Sequence, residues 1–467
     1  MSHSWTSTEL EIALGAELPR NIKANKVEFN SKDISAGDIF IAMTGGARDG
    51  HEFIPDALSN GAGLVISSKK IDDPRVVLVD DTAEALMKLA NYKRNNSKAK
   101  FIAITGSAGK SSTKESTGFI LSSFGKSYIS RGSFNNHIGV PLTIASIPHD
   151  SDYATIELGM NAPGEIHNLT KIVKPDFAII TVIGEAHLEF LGTLENICRA
   201  KCEIFDGLQH GGKAIINLDS PYFELQKDIL NNLGVQFYTF GTSRSADCVL
   251  TNFEQTDKEN LAIYEVFGQK LETTNNLYGK HQSINLCIPL LLMHSLGLDL
   301  ARASEIFPKI PSFGGRGLIH EVMINNHKIK IIDDAYNANP TSVRASLDTI
   351  SSVKGAKIVI LSDMKELGEK GPELHKELSS KLLETGASHF FAFGSLMKNL
   401  YDKVYHDIES EYFDKVSEEA FEKILSKISE LDATILVKGS NSTKIRQFVD
   451  FAKSRSLAHP PEFEIFR

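Results

Sequence analysis

The apolar run Phe101-Ile102-Ala103-Ile104 breaks at Thr105-Gly106-Ser107-Ala108-Gly109, and Lys110-Ser111-Ser112 then open a helical pattern. A buried strand, a glycine loop and a helix N-terminus in that order make a phosphate cradle. Glycines let backbone N–H groups close on anionic oxygens, and the helix dipole adds partial positive charge at the same point. The candidate nucleotide contacts are therefore Gly106, Ser107, Ala108 and Gly109, the Lys110 ammonium for β- and γ-phosphates, and the hydroxyls of Ser111 and Ser112, with Ser111 placed to hold Mg2+. Two residues separate these glycines, where the general phosphate loop has four. A surface turn carrying a lysine is the plain alternative; the strand–loop–helix order argues against it.

The chain has 467 residues, enough for about three domains at ~150 residues each. Its net charge of −9 speaks against a large nucleic-acid interface. The four cysteines form no C-x-x-C pair, so neither a disulfide framework nor a zinc cluster is expected, which fits a reducing compartment. The start of the chain lacks the basic and apolar regions of a signal peptide, and the longest apolar runs are too short to span a bilayer. A cytoplasmic protein with no membrane insertion is expected.

Three segments follow from the pattern. Residues 1–97 read as a small α/β unit with strands at 39–43 and 63–66, the turn pairs Gly45-Gly46 and Asp49-Gly50, and a helix at 54–60; the polar run Arg94-Asn95-Asn96-Ser97-Lys98 reads as a linker. Residues 98–311 begin with the phosphate loop and alternate strands (154–158, 177–182, 214–217) with helices, which implies a parallel sheet covered on both faces. Residues 312–467 open on the glycine-rich Ser312-Phe313-Gly314-Gly315-Arg316-Gly317 and carry strands at 329–333, 357–361, 390–393 and 434–437. A hinge between two α/β units predicts a cleft that closes.

Ligands of parallel sheets bind beyond the carboxyl ends of the strands. Glu157 ends one strand and His187 follows another, so both are placed to ligate metal beside a nucleotide; taken singly, a strand-end acid and a loop histidine are more often structural. Lys201 falls within the apolar stripe of Ile197, Ile204 and Phe205 at helical spacing. Either it snorkels to the surface, or it is a desolvated amine of lowered pKa that can capture CO2 as a carbamate and serve a metal. His281 and Asn285 share one helix face. Asp333-Asp334 end a strand, where a carboxylate can bind ribose hydroxyls, ahead of the turn-forming Asn337-Ala338-Asn339-Pro340.

Together the motifs TGSAGKSSTKE (105–115), FNNHIGVPLT (134–143), IELGMNAPGEI (156–166), GEAHLEFLGT (184–193), AKCEIFDGL (200–208), GKHQSIN (279–285), GGRG (314–317), DDAYNANP (333–340), SDMKELGE (362–369) and VKGSNST (437–443) resemble those of the Mur ligases, ATP-dependent enzymes of peptidoglycan synthesis. The segment GDIFIAMTGGARDGHEFI (37–54) extends the resemblance to nearly the whole chain. It implies three α/β domains: a smaller N-terminal domain that binds the UDP-linked substrate (1–97), a central P-loop ATPase-like domain with a parallel sheet (98–311) and a Rossmann-like C-terminal ligase domain (312–467). The NAPGEI, YNANP and DMxELG patterns are similar to those of the member that adds D-alanyl-D-alanine to UDP-N-acetylmuramoyl-tripeptide.

The resemblance further implies roles. Lys110 and the loop amides would hold ATP phosphates; Ser111 and Glu157 would bind one Mg2+; His187 and a carbamylated Lys201 would support a second cation. His281, Asn285, Arg316 and Asp334 would contact the nucleotide. Asn135 and Asn136 would face the UDP-linked substrate, Ser31 its uridine end, and Asn337 and Asn339 the incoming dipeptide. A monomer is expected. The chain departs from the family pattern at Asn30-Ser31-Lys32, usually Asp-Ser-Arg, at Asn441, usually Arg, and at Gln282, usually Asn; Lys32 cannot reproduce a planar guanidinium fork. The competing readings are the diaminopimelate- or lysine-adding member, whose DNPR signature is absent from the third unit, folylpolyglutamate synthase, which lacks a unit like 1–97, and a P-loop regulator or silent scaffold with no acceptor.

Overall fold

The computed structural model describes residues 4–18, 22–45, 48–256 and 259–456. Gly46, part of an expected turn, lies outside the described residues. The first unit is built on a four-stranded parallel sheet in the order Val27–Glu28, Ile39–Ile41, Leu64–Ser67, Val76–Leu78. Its long helix, Thr82–Asn96, starts at Asp81, whose side chain accepts from the N–H groups of Ala83 and Glu84. Such a cap satisfies N–H groups that the helix leaves without partners.

That helix corrects the expected linker. It continues through Arg94 and Asn96, leaving a shorter connection to the next strand. Arg94 is buried: its guanidinium donates to the carbonyls of Val173 and Lys174 and lies over the Phe101 ring. Lys93 is buried beside Trp5. Long basic side chains are good helix formers, and their stems cover apolar surface while the heads find carbonyls. Polarity alone was misleading here.

The middle unit carries a nine-stranded sheet in the order Ser127–Ile129, Tyr153–Glu157, Lys100–Thr105, Phe177–Ile180, Lys213–Asn217, Gln236–Gly241, Cys248–Gln255, Asn260–Val266, Gln269–Asn275. The first seven are parallel and the last two antiparallel. Apolar side chains from the two faces of the parallel part enter two separate cores, as doubly covered parallel strands require. The chain leaves Lys100–Thr105 for one edge, returns through Tyr153–Glu157, and crosses to Phe177–Ile180 on the other side. That reversal creates a crevice at the carboxyl ends of three strands.

The third unit is a six-stranded sheet in the order Leu318–Ile324, His327–Asp333, Ala433–Lys438, Ala356–Ser362, His389–Phe393, Glu409–Phe413, parallel except for the first pair. The α/β architecture read from the sequence is present in all three units. Leu188 and Leu191 of the middle unit share one continuous core with Met364 and Leu367 of the third, so the two units meet beside the crevice.

Candidate active site

Gly106 and Gly109 adopt positive φ, +150° and +77°, as the loop leaves Lys100–Thr105 for the helix Lys110–Ser122. A Cβ on Gly106 would stand 1.9 Å from Thr181 Oγ1, and one on Gly109 would stand 2.8 Å from Asn285 Nδ2. The loop is therefore seated between the next strand and the helix Lys280–Asn285, with no room for side chains at either glycine. Thr181 Oγ1 donates to Ala108 O at 2.6 Å, and Ser107 Oγ donates to Gly184 O at 2.9 Å. Lys110 Nζ turns back onto Gly106 O at 2.7 Å, and Gln282 Nε2 reaches Ser112 Oγ at 3.4 Å.

Glu157 is 1 % exposed at the end of its strand. Ser111 Oγ donates to one of its oxygens at 2.5 Å and Asn135 Nδ2 to the other at 2.8 Å. Among the described residues no cluster of three or more His, Cys, Asp or Glu side chains suits a metal. Mg2+ needs none, because it is usually held by one or two carboxylates, water and substrate phosphates. The Ser111–Glu157 pair beside a phosphate loop fits that donor set.

Lys201 lies in the last turn of the helix Leu194–Cys202, after which the chain tightens into the 3-10 turn Glu203–Gly207. It does not snorkel: it is 1 % exposed. Burial first, then the nearby Lys110 charge, push its pKa well below the ordinary value, against the opposing influence of Cys198. No carboxylate is among the charges acting on it. Burial also lowers the Lys110 pKa, Glu157 and Glu366 act to raise it, and Arg316 lowers it further. Lys110, Glu157 and Lys201 thus share one electrostatic environment.

The third unit closes the other side. Asn339 Nδ2 donates to Ser107 O at 2.9 Å, and Tyr336 hydrogen-bonds Ser133. Arg316 stacks its guanidinium 4.1 Å from the Tyr336 ring centre and leaves a buried Nη2 without a partner. Asp334 accepts from Lys438 Nζ at 2.7 Å and from Ser346 Oγ at 2.5 Å. Burial lowers the His281 pKa, with Asp334 opposing and Lys438 assisting. His187 Nδ1 lies 2.7 Å from Glu366 Oε2.

Other expected contacts have different surroundings. Asn136 is an exposed cap whose Oδ1 accepts from Ile138 and Gly139 N–H groups. Asn337 is exposed and turns its Oδ1 onto Ala338 N. Ser31 is buried in the first unit, where its carbonyl accepts from Asn60 Nδ2 at 2.9 Å; Lys32 and Asn441 are exposed. Among the described residues no hydrogen bond joins Ser31 to the phosphate loop.

Models of the Mur ligase middle domain, of the Mur ligase glutamate ligase domain and of the Mur ligase family catalytic domain match residues 104–293, 320–441 and 23–94. A UDP-N-acetylmuramoyl-tripeptide--D-alanyl-D-alanine ligase of Rickettsia prowazekii is 39% identical over 455 residues, covering 96% of this chain and 99% of its own. The chain belongs to the Mur ligase family. Among solved structures, MurF from Acinetobacter baumannii superposes with a TM-score of 0.84 at 28% identity, covering 96% of this chain and 99% of its own. MurF from Thermotoga maritima in complex with ADP superposes with a TM-score of 0.79 at 28% identity, covering 92% and 98%.

Several residues of this Mur ligase's crevice escaped the sequence reading. Lys114, fully buried one turn after Lys110, donates to the carbonyls of Ser130 and Gly132 and so ties the phosphate-loop helix to the segment bearing Asn135. Its signal was a second lysine on an otherwise small-residue helix face. Glu185 receives Thr341 Oγ1 and, at 2.8 Å, Arg344 Nη1 from the third unit. No spacing rule joins residues so distant in sequence.

Proposed function

We propose that this Mur ligase joins D-alanyl-D-alanine to UDP-N-acetylmuramoyl-tripeptide, with ATP, in peptidoglycan precursor synthesis. The observation that carries the reading is the meeting of Lys110, Glu157, Lys201 and the third-unit residues Arg316 and Asn339 around one phosphate loop, in a chain 39% identical over its length to a ligase of that name. We assign residues 1–97 to the UDP-linked substrate, 98–311 to ATP and 312–467 to the acceptor and closure.

A peptide carboxylate is a poor electrophile, because an attacking amine would have to expel oxide. Phosphoryl transfer from ATP makes an acyl phosphate; the dipeptide amine adds to its carbonyl, and the tetrahedral adduct expels phosphate. Lys110 and the loop N–H groups hold the transferring phosphoryl group and offset its charge. Glu157 and Ser111 would hold one Mg2+, and His187 with Lys201 a second; bound there, the ions screen the repulsion between carboxylate and triphosphate. Burial lowers the Lys201 pKa and so favours the neutral amine, which can add to CO2 and lose a proton, giving an anionic carbamate within electrostatic reach of Lys110. Asn135 places Glu157, and the third unit excludes water that would hydrolyse the acyl phosphate.

Asn136 and Ser31 are assigned to the UDP-linked substrate and Asn337 to the dipeptide. His281, Asn285, Arg316 and Asp334 are assigned to the nucleotide. Among the described residues no helix is long and apolar enough to cross a membrane. We place the enzyme in the cytoplasm as a monomer. Lys110→Ala should lower ATP turnover by at least about 100-fold, the range seen when a preorganised charge-stabilising donor is lost. Phosphate release at the wild-type rate would remove Lys110 from the mechanism.

A further inference from the structure

The segment 363–368 is held as a stiff arm. Asp363 Oδ1 accepts from Leu396 and Met397 N–H groups at 3.0 and 2.8 Å. Met364 N donates to His375 Nε2 at 3.0 Å, and Lys365 N to Ser440 Oγ at 3.0 Å. Three consecutive residues are thus fixed to the third unit immediately before Glu366. Glu366 itself takes a left-handed backbone, φ +64°, and so does His187 opposite it, φ +60°. Such conformations cost free energy in non-glycine residues and persist where the surroundings impose them.

The two residues meet across the cleft. Glu366 Oε2 lies 2.7 Å from His187 Nδ1, a buried nitrogen that makes no well-aligned hydrogen bond in this arrangement. The backbone seals the same contact: Glu189 N donates to Glu366 O at 3.1 Å, and a Cβ on Gly368 would come within 3.1 Å of Glu189 Cα. The Glu366 charge also acts on Lys110. A histidine that serves a cation with one ring nitrogen commonly gives the other to a carboxylate, which fixes ring orientation and raises ligand basicity.

We propose that Glu366 is a positioning residue supplied by the third unit to hold the His187 imidazole, so that the cation site containing His187 is complete only when the cleft is closed. This rests on the ligase reading above, which assigns His187 to a cation. Closure and cation binding then reinforce each other, and the ion is retained while the reactive intermediate is enclosed.

The test is Mn2+ binding to the full chain, followed by electron paramagnetic resonance, with a non-hydrolysable ATP analogue present. Glu366→Gln keeps the side-chain shape and removes the charge. It should weaken one bound Mn2+ by about 10–100-fold, the range for losing such an orienting partner. His187→Asn should weaken the same ion, and the double variant should lose no more than the worse single one, as expected for residues acting through one contact. Unchanged Mn2+ affinity in Glu366→Gln, or additive losses in the double variant, would overturn the proposal. Wild-type product formation is scored separately: its absence with D-alanyl-D-alanine removes the ligase reading and leaves the Mn2+ result to stand or fall alone.

Discussion

Lys201 is 1 % exposed, and burial is the largest influence lowering its pKa. Charging an amine buried with no carboxylate acting on it is costly, so a lysine at this position has no basis in stability alone. Lys201→Met should therefore melt at or above the wild-type temperature while phosphate release falls at least about 100-fold, comparable to loss of one electrostatic stabiliser. A lowered melting temperature with activity intact would show a packing role. Lys201→Ala should recover part of its rate with acetate or formate, which can occupy the vacated space as anions; no recovery over a millimolar series counts against the carbamate. The place of Lys201 in an apolar stripe was legible from periodicity, because Ile197, Ile204 and Phe205 bracket it on one face, but that spacing left snorkelling and burial both open. Its nearness to Lys110 was not, since the two lie on separate elements joined only by the sheet.

At the scale of elements, the strand–loop–helix order sufficed to place the glycine loop at the carboxyl edge of the sheet, because a parallel strand must deliver its loop there. The edge strands Cys248–Gln255, Asn260–Val266 and Gln269–Asn275 were not foreseen. Their Thr, Asn, Gln and Glu content is that of half-exposed edges, which gives weak alternation. The helix Pro340–Ser351 shows the same division. Its Asn339-Pro340 start was readable as a turn, but Asn339 also caps the helix and donates across to the phosphate loop. Asn339→Asp keeps the capping oxygen, so the start of the helix should persist. Its second oxygen would face Ser107 O in place of a donor, and affinity for an ATP analogue should fall by about tenfold, matching the loss of roughly 1–1.5 kcal/mol for one such bond. Calorimetric titration checks it; unchanged affinity would separate the helix from the loop.

At the scale of the whole molecule, the middle and third units meet through Asn339, Glu366 and the Glu185–Arg344–Thr341 cluster. Burial raises the Glu185 pKa, yet Thr341 and Arg344 together hold it below its ordinary value. Arg344→Ala should favour the open arrangement. Small-angle scattering with an ATP analogue and UDP-tripeptide should then show a larger radius than for wild type, while the separate units keep their circular dichroism. Identical radii would mean that this pair does not bias closure.

The account stands most directly on the choice of acceptor. Purified enzyme with ATP, Mg2+ and UDP-N-acetylmuramoyl-tripeptide should release phosphate fastest with D-alanyl-D-alanine, in step with pentapeptide product, and scarcely at all without an acceptor. Faster product formation from the dipeptide precursor with diaminopimelate or lysine, or phosphate release that ignores the acceptor, would contradict it.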